Sequence, residues 1–222
     1  GDFDNDGHPD LFVANRSQVN FLYRNNGDET FTQYEEGFIG IDTGESNGGN
    51  WVDYDNDGDL DLFVANGSEP LNDRNYLYRN DGHDGFTRVV QGEVTTDVGN
   101  TWDSGWSDYD NDGDLDLVLA NYRQLNAIYE NIGDGSFTKI NGDVVTQDSG
   151  ASRSVSWSDY DNDGDSDLFI SNGRAAIERN FLYNNNGNNN NWIRIKLVGG
   201  NTSNRSAIGS RLRLKAIING AP

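Results

Sequence analysis

The sequence predicts an all-β protein, a β-propeller built from about four four-stranded blades. The main observation is a motif, D-[YF]-D-N-D-G-x-x-D, that occurs four times and starts at Asp2, Asp53, Asp108 and Asp159, with spacings of 51, 55 and 51 residues. Between the motifs, short runs rich in β-branched and aromatic residues are bounded by Asn, Asp and Gly, and no window shows useful helical periodicity. Four strands in about fifty residues is the size of one propeller blade.

Each repeat is predicted to contain its four strands in a fixed order. The first strand ends at a tryptophan two residues before the motif, at Trp51, Trp106 and Trp157. The second is a DLFVAN-like run directly after the motif, and the third is an NYLYRN-like run. Asn-Asp-Gly and Asn-Asn-Gly steps then indicate a hairpin turn before a fourth strand that begins at Phe-Thr. The first repeat lacks its first strand, so an incomplete propeller is one expected outcome.

The composition limits the classes of function. A formal net charge of −21 argues against nucleic acid and anionic membranes, because both call for basic surfaces. No run of eighteen apolar residues exists, so membrane insertion is not expected. The absence of cysteine excludes disulfides and thiolate chemistry. The chain also lacks methionine and begins at the first motif, which indicates a processed or excised piece of a longer protein.

The spacing of the aspartates predicts a metal site in each motif. Carboxylates at positions 1, 3 and 5 of a tight loop can converge on one point, and glycine at position 6 permits the sharp turn. Position 7 would add its backbone carbonyl, and the aspartate at position 9 would close the shell. Such an all-oxygen set favours Ca²⁺ over Mg²⁺. One ion per repeat, up to four in all, is predicted to bind Asp2, Asp4, Asp6, His8 and Asp10; Asp53, Asp55, Asp57, Asp59 and Asp61; Asp108, Asp110, Asp112, Asp114 and Asp116; and Asp159, Asp161, Asp163, Asp165 and Asp167.

Two other interpretations of the motif fit less well. An EF-hand needs a glutamate at position 12 between helices, but that position holds Val13, Val64, Leu119 and Ile170, and the flanks read as strands. An ordinary polar turn needs only one or two of these residues, whereas positions 1, 3, 5 and 9 are aspartate in every copy. Extracellular calcium modules bind at roughly 10⁻⁴–10⁻³ M, so stable occupancy implies a calcium-rich setting outside the cell.

The repeat also resembles a known family. A tryptophan followed by D-[YF]-D-N-D-G-x-x-D-L and a short β run resembles the FG-GAP/VCBS repeats of integrin-α-like propellers, over residues 1 to about 190. Residues 192–222 differ, with six Lys or Arg and no Asp or Glu. There the string NWIRIKLVG…SNRSAIGSRLRL is similar to the start of the ASPIC/UnbV domain of cartilage-acidic-protein-like proteins. Two domains are therefore predicted, a repeat segment at 1–190 and a basic β extension at 191–222, which is expected to dock on the acidic propeller.

The function expected from these features is that of a calcium-binding, extracellular or cell-surface interaction, adhesion or matrix scaffold. Its calcium would be structural, and its partner would be an extracellular protein or glycan. One alternative is a carbohydrate-binding module or an accessory domain of a secreted enzyme. Another is a self-assembling fibre subunit, because open end blades offer edges to a neighbour.

Three further features of the sequence are a match to a nucleophile-elbow motif, the repeat tryptophans and four glycosylation sequons. Gly44-Glu45-Ser46-Asn47-Gly48 matches the nucleophile elbow, but no helix follows it, so no catalytic residue is predicted and the chain is not expected to be an enzyme. The three repeat tryptophans are predicted to pack in the core rather than to form a sugar-stacking platform. Sequons that mark candidate glycosylation sites begin at Asn15, Asn66, Asn201 and Asn204.

Overall fold

The computed structural model describes residues 1–35, 37–69, 73–173, 178–188 and 195. The predicted basic extension over 191–222 lies outside the described residues except for Ile195, as do the sequons at Asn201 and Asn204. Over the described ranges, the regular secondary structure is almost entirely β-strand, which confirms the predicted class. The one α-helix there, α1 (Glu93–Thr96), is a single turn. None of the helices in those ranges has the length and apolar character of a membrane span.

The described part of the chain contains seventeen strands. In order they are β1 (Leu11–Val13), β2 (Arg16–Val19), β3 (Phe21–Asn25), β4 (Phe31–Tyr34), β5 (Thr43–Val52), β6 (Asp61–Asn66), β7 (Asp73–Arg74), β8 (Tyr76–Asn80), β9 (Phe86–Val89), β10 (Val98–Gly99), β11 (Thr101–Ser107), β12 (Asp116–Leu125), β13 (Ala127–Asn131), β14 (Phe137–Ile140), β15 (Ser149–Ser158), β16 (Asp167–Asn172) and β17 (Phe181–Tyr183). Every Phe-Thr pair begins a strand, as predicted.

Each repeat forms one antiparallel blade. Blade one is β1-β3-β4, blade two is β5-β6-β8-β9, blade three is β11-β12-β13-β14 and blade four is β15-β16-β17. The register repeats as well, because the tryptophan of the first strand pairs with the leucine that follows the motif: Trp51 with Leu62, Trp106 with Leu117 and Trp157 with Leu168. The predicted order of four strands is therefore confirmed in blades two and three, while blades one and four each show three strands within the described residues.

Short antiparallel ladders join successive blades. β2 pairs with the start of β5, β7 pairs with β10, and the end of β12 pairs with the start of β15. In each case the chain that follows the second strand of one blade pairs with the segment leading into the next blade. The sequence did not predict these ladders, because they are two to four residues long and show no alternation of polar and apolar side chains.

The aromatic core lies between the blades. Phe3, at position 2 of the first motif, stacks on Trp51 of blade two with centroids 6.0 Å apart. Tyr109, at the same position of the third motif, stacks on Trp157 of blade four at 6.2 Å. Trp106 packs against the buried residues between blades two and three. The prediction that the repeat tryptophans pack in the core is confirmed.

Blade four exposes positions that blade two buries. Leu182 is 58% exposed, whereas Leu77, the same position in blade two, is 1% exposed. Phe169 is 38% exposed, whereas its counterpart Phe63 is fully buried. Tyr160, at position 2 of the last motif, is 50% exposed. These three side chains, Tyr160, Phe169 and Leu182, form what we call the end face of blade four.

Candidate metal sites

Each motif forms a tight loop directly before the second strand of its repeat, and in the last three repeats this loop connects the first strand to the second. The asparagine at position 4 has a positive φ in all four loops: 57° at Asn5, 59° at Asn56, 59° at Asn111 and 66° at Asn162. The glycine at position 6 is also left-handed, with φ between 92° and 107°. Asparagine is one of the few non-glycine residues that adopt this conformation readily, and glycine does so at no steric cost. The Asn-Asp-Gly sequence therefore curls the chain around the aspartates.

The structure brings three carboxylates together in each loop, with one oxygen of each within 4.8 Å of the others. The four groups are Asp2, Asp4 and Asp6; Asp53, Asp55 and Asp57; Asp108, Asp110 and Asp116; and Asp159, Asp161 and Asp167. Positions 1 and 3 belong to every group, while the third member is position 5 in two loops and position 9 in the other two. Converging oxygens of this kind suit a hard divalent cation such as Ca²⁺.

Two buried oxygens of the second loop have no hydrogen-bond partner. They are Asp53 Oδ1 and Asp55 Oδ1. The other oxygen of Asp53, Oδ2, accepts a hydrogen bond from the backbone N–H of Gly58 at 3.1 Å. Burial raises the pKa of both carboxyl groups, since the charged forms are poorly solvated there. A cation bound by these oxygens would compensate both the missing hydrogen bonds and the lost solvation, so the residues present fit calcium.

The aspartate at position 9 also holds its loop to the blade. Asp61 is fully buried; its Oδ2 accepts from the backbone N–H of Tyr54 at 3.1 Å and its Oδ1 from that of Asn80 at 2.7 Å. The same pair of bonds is made in the other loops, at 2.8–3.1 Å, by Asp10, Asp116 and Asp167. Each oxygen retains a lone pair, so position 9 can serve as a structural acceptor and as a ligand.

Position 7 is not a member of any of these carboxylate groups. Its backbone N–H donates to the carboxylate at position 5 at 2.9–3.0 Å in all four loops, at His8, Asp59, Asp114 and Asp165. In the last three loops its side chain instead accepts a hydrogen bond from the preceding loop. The coordination of an ion by the carbonyl of position 7 stays a prediction.

Sequence reasoning missed two sets of asparagines that join each loop to the next blade. One set is the asparagine at position 4. The other ends the third strand: Asn80 Nδ2 donates to the carbonyl of Phe3, and Asn131 Nδ2 donates to that of Tyr54, both at 2.7 Å. Both sets recur at fixed places in the repeat, which was the available signal. Asparagine close to glycine is common in turns, so the recurrence of these asparagines was explained without any bond between loops.

Two other sequence features acquire a structural explanation. Asn66 is fully buried; its Nδ2 donates to the carbonyl of Arg74 at 2.8 Å, and its Oδ1 accepts from the Ser46 hydroxyl at 2.7 Å. The folded protein therefore does not present this sequon for glycosylation. Asn15 Nδ2 donates to the carbonyl of Val19 at 2.9 Å, in a turn role. Ser46 lies within β5, so the match to a nucleophile elbow is part of a strand.

The calcium-free protein is expected to be more stable in mild acid than in mild base. Burial raises the pKa of both Asp61 and Asp116 to about 7, above the value of about 3.9 for an unfolded chain. The native state therefore binds protons that the unfolded state does not bind, and stability is lost as the pH rises through 7. Thermal melting in EDTA should give a higher midpoint at pH 5 than at pH 8. A higher midpoint at pH 8 would contradict this assignment.

Comparison with known proteins places the chain in a family. A model of the FG-GAP-like repeat matches residues 2–64, 53–119 and 108–170. The chain therefore belongs to the FG-GAP-like repeat family, and the predicted propeller class is confirmed.

The chain is also similar to particular proteins. It is 27% identical to human Cartilage acidic protein 1 over 206 residues, covering 84% of this chain and 29% of that protein. It is 27% identical to the mouse protein over 198 residues, covering 84% of this chain and 30% of that protein. The chain thus spans less than a third of the length of these relatives. An Agrocybe aegerita lectin, described as recognising non-reducing terminal N-acetylglucosamine, matches with a TM-score of 0.52 and 22% identity over 89% of this chain and 51% of its own. That likeness concerns the fold alone.

Proposed function

We propose that this chain is a calcium-binding extracellular repeat protein that acts as an interaction, adhesion or matrix scaffold, with structural calcium in four loops. The observation that carries the proposal is the second loop, where the buried oxygens Asp53 Oδ1 and Asp55 Oδ1 have no hydrogen-bond partner. Each of the other three loops also brings three carboxylates together, always including positions 1 and 3. The similarity to Cartilage acidic protein 1 supports a matrix or adhesion role outside the cell. The partner proposed for this role is an extracellular protein or glycan.

In each loop, some residues would bind the ion and others hold the loop against the blades. The carboxylates at positions 1, 3, 5 and 9 and the carbonyl of position 7 would bind the ion. When bound, calcium supplies positive charge that offsets the repulsion among these carboxylates. Position 9 holds the loop to its own blade, through the bonds from Tyr54 and Asn80 to Asp61 in the second loop. The aromatic residue at position 2 packs against the next blade, as Phe3 does against Trp51.

Calorimetric titration tests this function by counting ions. The full chain is expected to bind about four Ca²⁺, and Mg²⁺ is expected to bind more weakly, because it requires a near-octahedral shell and retains its waters. A variant with Asp108→Asn and Asp110→Asn removes two charges from the third loop and should bind about one ion fewer. The matched control, Asp28→Asn and Asp134→Asn, changes two aspartates outside the motifs and should leave the count unchanged. A parent chain that binds no calcium at several millimolar would contradict the proposal.

The end face of blade four favours self-assembly as a second candidate function. Phe169 and Leu182 are exposed there, although the same positions of blade two are buried. Such a face resembles one side of the interface between two blades, so a second copy of the chain is a fitting partner. Sedimentation velocity over a range of concentrations tests this idea. A monomer at every concentration would count against it.

A further inference from the structure

The four aspartate loops are connected in a row by side-chain hydrogen bonds. In each case Nδ2 of the asparagine at position 4 donates to Oδ1 of the aspartate at position 7 in the next loop. The three bonds are Asn5 to Asp59 at 2.8 Å, Asn56 to Asp114 at 2.6 Å and Asn111 to Asp165 at 2.6 Å. Position 7 is aspartate in the three loops that accept this bond and is His8 in the first loop. A contact that occurs three times at equivalent positions is a property of the repeat.

Both ends of each bond belong to the part of the loop that would surround an ion. Asn56 lies between Asp55 and Asp57, which both belong to the carboxylate group of the second loop. Its φ of 59° depends on the curled form of that loop. At the other end, the backbone N–H of Asp114 donates to Oδ1 of Asp112 at 3.0 Å. The bond from Asn56 to Asp114 therefore joins the left-handed turn of one loop to a residue of the next loop whose backbone contacts the predicted ligand Asp112.

A second contact follows the same route between the loops. Asn131, at the end of β13, donates through Nδ2 to the carbonyl of Tyr54, position 2 of the second motif, at 2.7 Å. Its backbone N–H donates to Oδ1 of Asp116, position 9 of the third motif, at 2.9 Å. One residue thus contacts two successive motifs. Asn80 does the same for the first and second motifs through Phe3 and Asp61.

We propose that the asparagines at position 4, Asn5, Asn56 and Asn111, couple neighbouring loops so that the calcium sites fill cooperatively. This inference rests on the proposed calcium binding. A loop ordered by an ion fixes the direction of its asparagine, which in turn holds position 7 of the next loop. Less ordering is then required when the next ion binds, so its affinity rises. Coupling between sites is reciprocal, so an ion in the later loop favours the earlier one equally.

A double-mutant cycle across the junction between the second and third loops tests the coupling. The variants are Asn56→Gly, Asp114→Ala and the combination of both, each in the full chain. Glycine accepts the positive φ at position 4 and removes the side chain that carries the amide, while alanine keeps the backbone carbonyl of position 7. Calorimetric calcium titration of the parent is expected to give a Hill coefficient above 1. Each single variant should lower that coefficient and weaken overall affinity by about tenfold, within the usual range of coupling. The double variant should lose no more than either single variant.

The control is Glu29→Gly, which places glycine at an exposed positive-φ position outside the motifs, with φ of 68°. It should bind calcium as the parent does. Circular dichroism checks the folding of each variant, and Asn111→Gly repeats the test at the next junction if Asn56→Gly does not fold. Calcium uptake with the same affinity and Hill coefficient in the parent and the folded variants would overturn the coupling alone. Failure of the parent to bind calcium would overturn the proposed function, and the coupling with it.

Discussion

Removal of calcium with EDTA is expected to lower the thermal midpoint of this protein by about 10 °C or more. An ion that binds only the native state stabilises it by about 2.7 kcal/mol per site at a hundredfold excess over the Kd. For a chain of this size, 1 kcal/mol corresponds to about 2–4 °C. Loss of the ions leaves the unpartnered buried oxygens of Asp53 and Asp55 uncompensated. Melting curves by circular dichroism, in 10 mM CaCl₂ and in EDTA at pH 7.5, measure the difference.

Two controls separate calcium binding from a general effect of ionic strength. The midpoint should return when calcium is added in excess of EDTA. An equal concentration of Mg²⁺ should restore only a small part of the shift, because Mg²⁺ requires a near-octahedral shell and retains its waters. Equal midpoints in calcium and in EDTA would show that these loops contribute no calcium-dependent stability.

Replacement of the buried aspartate at position 9 is expected to destabilise the protein even without calcium. Asp61→Ala removes the acceptor of two backbone N–H groups, those of Tyr54 and Asn80. Each buried donor left without a partner costs about 1–3 kcal/mol. The free energy of unfolding in EDTA, measured by urea denaturation, should therefore fall by about 2–6 kcal/mol.

The matched variant for this test is Asp57→Ala in the same loop. Asp57 belongs to the carboxylate group but is exposed, and its Oδ1 accepts from the backbone N–H of Asp59 at 2.9 Å. In EDTA its loss should change the free energy of unfolding by less than about 1 kcal/mol. In calcium, Asp57→Ala should lose much of the stabilisation that the ion provides. Equal losses for the two variants in EDTA would contradict the structural role of position 9.

The strands and their order were predictable because the repeat supplies four aligned copies of one pattern. The pairing of Trp51 with Leu62 follows from a loop of fixed length between two strands, and the same loop recurs at Trp106 and Trp157. The ladders between blades were not predictable. They join segments such as β7 and β10, which are two residues long and carry no side-chain pattern that marks a strand.

The candidate site was predictable at the level of the single loop. Aspartates at positions 1 and 3 approach each other in all four loops, as their spacing indicates. The contacts between loops were not predictable, because Asn56 and Asp114 lie 58 residues apart in the sequence. Which residue of one repeat meets which residue of the next depends on how the blades pack. The second function of position 9 was missed for a different reason, because its donors are backbone N–H groups, such as that of Asn80 on a neighbouring strand of the same blade, and backbone donors leave no pattern in the sequence.

An anomalous difference map from crystals grown in calcium would show directly whether the aspartate loops hold ions. One peak is expected in each of the four loops. Each peak should lie roughly 2.3–2.6 Å from carboxylate oxygens at positions 1 and 3, such as those of Asp53 and Asp55. A map from calcium-containing crystals with no peak in any of these loops would contradict the claim that they hold structural calcium.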